Sequence, residues 1–172
     1  MKRILFAALT AAALFSGGIL QSLNAQNMEI PKKVSPFPVG DKLPEQFSKY
    51  FVGQAWLAPL TDDKRLNAPV SNVTFSPGCR NNWHIHHAKS GGGQILVCVA
   101  GHGYYQEWGK PAQELRPGDV VNIPVGVKHW HGAAPDSWFS HLAVEVPGDE
   151  TSNEWLEAVD NTVYFKATGK EV

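Results

Sequence analysis

Seven histidines are the first candidates for chemistry in this 172-residue chain. His84 and His86 form an HxH pair, and His129 and His131 form a second pair further along. Alternate side chains of a β-strand share a face, so each pair can point into one interior if its segment is a strand. Neutral imidazole is the commonest protein ligand of metals, and three imidazoles with one oxygen ligand make an open, catalytic type of site. The two pairs together favour a divalent metal centre over a set of surface histidines.

The positions of the other three histidines predict which of them can face the interior of the fold. His141 lies in the stretch FSHLAVEV, where strand alternation leaves it free to face the same interior as the two pairs. His87 faces away from the first pair by the same alternation, and His102 lies in a glycine turn. We therefore expect His87 and His102 to be exposed to solvent and to have no part in metal binding.

Short apolar runs broken by turn residues must position these histidines. Runs of a strand's length alternate with glycine- and proline-containing turns such as SPGC, RPGD and PVGV. Strands at this spacing predict an all-β sandwich or barrel. Besides the histidine-bearing stretch 84–87, the predicted strands are 51–60, 68–75, 93–100, 103–108, 113–115, 119–124, 128–134 and 138–146.

One short helix is predicted near the C-terminus. Thr151 and Glu154 have the spacing of a capping box, and Trp155, Leu156 and Val159 follow at helical intervals. We expect this helix to cover one end or edge of the barrel, with Trp155 packed in the core.

The N-terminus has the pattern of a secretory signal peptide. Lys2 and Arg3 precede an apolar run over residues 4–15, and small residues lead to a cleavage site at Ala25. The run is too short and too rich in alanine for a typical membrane span, although a retained anchor is the alternative. We predict a signal peptide over 1–25 and a bacterial protein that is periplasmic or secreted, without membrane contact after cleavage.

The mature chain divides into an N-terminal arm over 26–50 and one domain over 51–172. Loss of the two basic residues takes the formal charge from -1 to -3, and no basic stripe remains, so nucleic acid is not expected as a partner. An oxidising compartment permits a disulfide between Cys79 and Cys98, but Cys98 in ILVCVA fits a small core residue better. Two cysteines also exclude a zinc site built from four cysteines of one chain.

The residues around the first histidine pair resemble the first motif of the cupins. In that motif a glycine is followed by five residues, HxH, a short gap, a glutamate, six residues and a second glycine. Gly78, His84, His86 and Gly101 match it, and Gln94 stands where many cupins have glutamate. The gap before Gln94 is lengthened by HAKSGGG, whose glycines can still return the side chain to the pocket. A neutral amide ligand would leave more positive charge on a metal, which favours a Lewis-acid role.

The second histidine pair lies in a match to the second cupin motif. Gly118, Pro124, Gly126 and His129 have its spacing, and Ala133 replaces its final asparagine. The two motifs cover about residues 68 to 146. They imply a small double-stranded β-barrel of the jelly-roll type and, as in many cupins, a homodimer.

The tail KHWHGAAPDSWFSHLAVE, together with WHIH and RPGDVV, is similar to the bacterial cupin hydroxynitrile lyases. It also resembles the cupin part of carboxymuconolactone-decarboxylase-like proteins. The metal ligands that the resemblance implies are His84, His86, Gln94 and His129. It places His131 and His141 beside the substrate as proton-transfer groups. Manganese is the expected metal, and iron, zinc, nickel and copper also suit such ligands.

The expected activity is cleavage of a cyanohydrin to an aldehyde and cyanide without a redox change of the metal. Two other functions fit the same residues: a dioxygenase for a small aromatic or thiol substrate, and a non-catalytic cupin that binds a small molecule. Histidines beyond the ligand set favour an enzyme. Trp83 and Trp130 lie on the strand faces opposite the ligands, so we exclude them from the site, and Val73, Leu96 and Val121 are candidates for an apolar pocket wall.

Overall fold

The computed structural model describes residues 29–31, 34–61 and 67–170. The predicted signal peptide lies outside these ranges, so export and cleavage stay predictions. No helix among the described residues is long and apolar enough to cross a membrane.

Short strands make up most of the described chain. They are β1 Asp41–Lys42, β2 Phe51–Val52, β3 Ala55–Pro59, β4 Val70–Phe75, β5 Arg80–Asn81, β6 His84–His87, β7 Ser90–Gly91, β8 Gln94–Gly101, β9 Gly103–Glu107, β10 Gln113–Leu115, β11 Val120–Ile123, β12 His129–Ala133, β13 Phe139–Glu145, β14 Gly148–Asp149 and β15 Ser152–Trp155. The helices are α1 Glu45–Ser48 and α2 Asn161–Thr168.

The strands form two antiparallel sheets and a small ribbon. The first sheet has the order β1-β3-β4-β13-β8-β11, and the second has β10-β9-β12-β5-β2, with β6 between β12 and β15. The ribbon joins β7 to β14. The predicted all-β barrel with a short C-terminal helix is confirmed.

Two apolar clusters hold the barrel together. The larger one includes Phe75, Leu96, Val121 and Phe139 and draws on strands of both sheets. The smaller cluster joins Trp83 and Trp130 to side chains that include Tyr164 of α2. Strand alternation therefore placed the two tryptophans correctly, away from the histidines.

The C-terminal helix exists, but the prediction of its start was wrong. Residues 152–155 form β15, which pairs with β6, and α2 begins at Asn161, where the Asp160 carboxylate accepts a hydrogen bond from the Val163 backbone N–H at 2.9 Å. A capping box is worth only about 1 kcal/mol. Pairing with β6 satisfies a row of backbone groups and half-buries Trp155, which outweighs that local signal.

Part of the predicted N-terminal arm lies against the barrel. Strand β1 pairs with β3, and the Leu43 N–H donates to the Ala55 carbonyl at 3.0 Å. Cys79 and Cys98 are both free and buried, so the two sulfurs form no bridge.

Candidate metal centre

Three imidazoles meet on the inner face of the second sheet. His84 and His86 come from β6, and His129 comes from β12, directly opposite His84 in the antiparallel register. One ring nitrogen from each of the three lies within 4.8 Å of the others. All three side chains are buried. Strand alternation and pairing, with no loop involved, place these rings together.

Backbone carbonyls set the protonation of two of these rings. His84 Nδ1 lies 2.9 Å from the Asn82 carbonyl oxygen, and His129 Nδ1 lies 2.9 Å from that of Val127. A carbonyl oxygen only accepts, so each Nδ1 carries the proton and each Nε2 keeps its lone pair. Metal-binding histidines in proteins are oriented by hydrogen bonds of this kind.

Burial keeps the cluster neutral. Desolvation lowers the pKa of His129 to about 4, with a smaller lowering from His86. The pKa of His84 lies well below its ordinary value, first because of burial and then because of the charge that His129 would carry. Burial also lowers the pKa of His86. At neutral pH the three rings are therefore uncharged, and each keeps one nitrogen lone pair that can bind a metal.

Gln94 reaches the same cavity from the opposite sheet. It begins β8, its exposed fraction is 7%, and its Nε2 donates to Glu145 Oε1 at 2.7 Å. It lies close enough to His86 to influence the pKa of that ring. The structure thus places Gln94 beside His86, one of the three clustered imidazoles.

The residues between His86 and Gln94 fold back as a ribbon. The Lys89 N–H donates to the Asp149 carbonyl at 2.8 Å, and the Gly92 N–H donates to the Pro147 carbonyl at 3.0 Å. Gly93 has φ +95°, and a Cβ there would lie 2.4 Å from the Ile123 carbonyl oxygen. The glycines thus let the longer loop close and deliver Gln94 to the cavity.

Buried polar atoms test whether these residues suit a metal. His86 Nε2, His129 Nε2 and Gln94 Oε1 are inaccessible and have no hydrogen-bond partner within the described ranges. Leaving such atoms unpaired costs about 1–3 kcal/mol each. Two imidazole lone pairs and an amide oxygen, beside a third imidazole, form a donor set that a divalent transition metal would satisfy.

His131 and His141 lie beside the three-histidine cluster. His131 is on β12, with its ring centroid 5.5 Å from that of His84, and His141 is on β13 of the facing sheet, 4.8 Å from His131. The Asn81 Nδ2 lies 3.0 Å from His131 Nε2, whereas both ring nitrogens of His141 lack a partner among the described residues. Burial lowers the pKa of His141 to about 3 and that of His131 well below its usual value.

A cavity of about 480 Å³ opens onto these groups. Its floor carries histidines and Gln94, and its walls are mainly apolar: Leu43, Phe47, Phe51, Leu57, Val73, Phe75 and Trp155. Of the predicted wall residues, Val73 lines the cavity, and Leu96 and Val121 lie in the core cluster. The size and lining suit a small, largely apolar molecule with a polar end.

Comparison with solved structures identifies the fold. A cupin-like protein from Thermotoga maritima superimposes with a TM-score of 0.68 at 40% sequence identity, over 80% of this chain and 99% of that one. The chain belongs to the cupin superfamily. A cupin-2 domain from Rhodospirillum rubrum matches this cupin with a TM-score of 0.59 at 17% identity, over 77% of this chain and 93% of that one, which shows the fold alone.

A curated relative extends the comparison. The cupin is 41% identical over 117 residues to an (R)-mandelonitrile lyase from Granulicella tundricola, a match that covers 67% of this chain and 86% of that protein. No family model matches the chain.

Two residues of the site in this cupin were not predicted from the sequence. Trp155 stacks on His84 with ring centroids 4.8 Å apart and was missed because its segment was predicted to be helical. Glu145 shares a strand face with His141 by alternation, so extension of the pattern from His141 would have found it.

The two histidines without a predicted role lie outside the cavity. His87 is exposed, and its Nε2 contacts a Glu154 carboxylate oxygen at 2.7 Å. His102 is partly buried, less exposed than predicted, and its Nε2 contacts Glu114 at 2.7 Å. His87 is thus a suitable control for substitutions of the clustered histidines.

Proposed function

We propose that this cupin is a metal-dependent lyase that cleaves an aromatic cyanohydrin to an aldehyde and hydrogen cyanide. The observation that carries the proposal is a pair of buried histidines, His131 and His141, next to a donor set suited to a metal and at the end of an apolar cavity. The 41% sequence identity to an (R)-mandelonitrile lyase over 117 residues supports this class of substrate. His84, His86, Gln94 and His129 would hold the metal, for which manganese is our first choice. When bound, that metal supplies Lewis acidity toward a substrate oxygen.

The protein's own residues divide the remaining work. The apolar walls, with Phe47, Phe51 and Trp155, would bind the aryl group and exclude water. His141 is neutral and has a free ring lone pair, so it can take the hydroxyl proton of the cyanohydrin. The carbon–carbon bond breaks as the carbonyl forms, the electron pair leaves with cyanide, and cyanide takes the proton back from His141. A hydrogen bond from Asn81 holds the His131 ring, which lies next to His141.

The test is release of benzaldehyde from mandelonitrile by the manganese-loaded protein, followed by absorbance under argon and under air. We expect equal rates under both gases because no step consumes oxygen. His129→Ala should lose both metal and activity. His141→Ala should keep the metal and lose at least about 100-fold in rate, the usual contribution of an acid–base group. His131→Ala should also keep the metal and lose activity, because its ring lies next to His141. His87→Ala is the matched control and should behave as the wild type.

The outcomes separate the alternatives. Retained activity in His141→Ala would overturn the assignment of His141 as the base. No release under either gas would overturn the lyase proposal, and oxygen uptake by the iron-loaded protein with aromatic or thiol substrates would then identify a dioxygenase.

A further inference from the structure

Glu145 is a carboxylate in direct contact with the candidate metal centre. It stands directly opposite Gln94 in the pairing of β13 with β8. One of its carboxylate oxygens accepts a hydrogen bond from Gln94 Nε2 at 2.7 Å, and the other lies 3.8 Å from His86 Nδ1. Its side chain is 40% exposed, whereas Gln94 is buried. Glu145 thus connects a buried amide to the protein surface.

The contact determines which end of the amide faces the histidines. An ionised carboxylate can only accept, so its partner on Gln94 must be the NH2 group. The carbonyl oxygen is therefore the other end, and Gln94 Oε1 is buried without a hydrogen-bond partner among the described residues. A flipped amide would place its oxygen against the carboxylate and its NH2 group beside His86, where neither could ligate a metal.

We propose that Glu145 is a positioning residue that fixes Gln94 with its carbonyl oxygen toward the three imidazoles, and so makes the glutamine competent as the fourth ligand. The inference rests on the proposed metal centre. Backbone carbonyls orient His84 and His129, and Glu145 performs the same task for the amide with a side chain. Partners that orient metal ligands in this way typically change affinity by 10- to 100-fold when removed.

Glu145 acts through Gln94 and is not itself a ligand in this arrangement. Among the residues that the structure describes, the acidic and histidine groups close enough to share an ion are His84, His86 and His129. One Glu145 oxygen is already bonded to the amide. A swap of the two side chains can test this distinction, because exchange keeps both the hydrogen bond and the net charge.

The experiment measures the Kd for Mn²⁺ by competition with a chelator, together with the electron paramagnetic resonance spectrum of the bound ion. We expect Glu145→Gln to weaken binding about 10- to 100-fold, because the new amide no longer dictates the orientation of Gln94. The double variant Gln94→Glu with Glu145→Gln should recover affinity to within a few fold of the wild type. Its carboxylate offers two equivalent oxygens and can accept from the new amide. Glu150→Gln, an exposed glutamate paired with Lys89, is the matched control and should bind as the wild type.

Each failure has its own meaning. Wild-type affinity and spectrum in Glu145→Gln would overturn this inference alone. Weak binding in both Glu145→Gln and the double variant would also overturn it, since orientation would then not be what Glu145 provides. A wild type that binds Mn²⁺ but leaves mandelonitrile intact would overturn the lyase proposal while the metal comparison still decides the role of Glu145. A wild type that binds no divalent metal would overturn both.

Discussion

His141 is among the most enclosed groups in the cavity. Its side chain has no exposed surface, it packs against Phe75 and Phe139, and both ring nitrogens lack partners in the described chain. A neutral imidazole always carries one donor and one acceptor, so a bound molecule can gain either hydrogen bond at this point. The same enclosure makes protonation of the ring costly.

Burial of His141 predicts a pH-dependent stability of the metal-free protein. Its pKa is about 3 when folded and about 6.5 when unfolded, so between these values the unfolded chain holds a proton that the native state lacks. The free energy of unfolding should therefore fall as the pH falls below 6.5, by up to about 1.4 kcal/mol per pH unit from this group. Urea unfolding at pH 7, 6, 5 and 4 measures this change in the free energy of unfolding.

His141→Gln supplies the comparison because glutamine does not titrate. The slope of unfolding free energy against pH should be smaller in this variant by up to about 1.4 kcal/mol per pH unit, whatever its absolute stability. The other buried histidines contribute equally to both proteins. Parallel slopes would show that His141 is protonated, or accessible, in the folded state.

Residue types and strand alternation were enough to predict the histidine cluster, since side-chain direction in a strand has a period of two. Alternation could not reveal the role of Glu145, because that role depends on which residue of β8 stands opposite it. Register arises from pairing between distant segments and leaves no local mark in the sequence.

The ribbon of β7 and β14 leads the chain to Gln94 at the start of β8. Gly93 has a positive φ and lies against the Ile123 backbone, so Gly93→Ala must displace either the loop or the start of β8. We expect a loss of about 1–3 kcal/mol in stability together with weaker metal binding, measured by urea unfolding and by Mn²⁺ titration.

Gly109→Ala is the matched control. Gly109 also has a positive φ, +77°, but a Cβ there would meet no atom within 4 Å. This substitution should cost about 1 kcal/mol of backbone strain and leave metal affinity unchanged. Equal metal affinity in the wild type and Gly93→Ala would show that the loop does not determine the position of Gln94.

The long strands were predicted because each carries an apolar run between turn residues. The two-residue strands β1, β5, β7 and β14 were not, since they contain too few residues to show a period. β15 was mistaken for the start of a helix because a capping box is a local pattern of four residues. The pairing of β15 with β6 depends on the fold of the whole barrel, which those four residues do not show.

The candidate ligands come from both sheets of the barrel. Three imidazoles belong to the second sheet, and Gln94 belongs to the first. A metal held by all four would join the two layers, and binding to the native state alone raises stability by about 2.7 kcal/mol at a free concentration 100 times the Kd. We expect the Tm to rise by about 5–10 °C with Mn²⁺ and to return after chelation.

Calorimetry or a thermal melt followed by circular dichroism measures that shift. Gln94→Ala should reduce it, because the link to the first sheet is lost, and His87→Ala should leave it unchanged. A shift of equal size in Gln94→Ala would mean that the second sheet alone holds the ion.

The ribbon between β6 and β8 also has a consequence for how proteins of this kind are recognised in sequence. Main-chain hydrogen bonds to the β14 segment take up the extra residues after His86, so the spacing to Gln94 is not dictated by the geometry of the centre. The neighbouring strand thus holds the extra residues while Gln94 stays at the cavity. A sequence pattern with a short, fixed gap between the histidine pair and the next candidate ligand would overlook this chain, whereas a pattern that allows a gap of variable length would retain it.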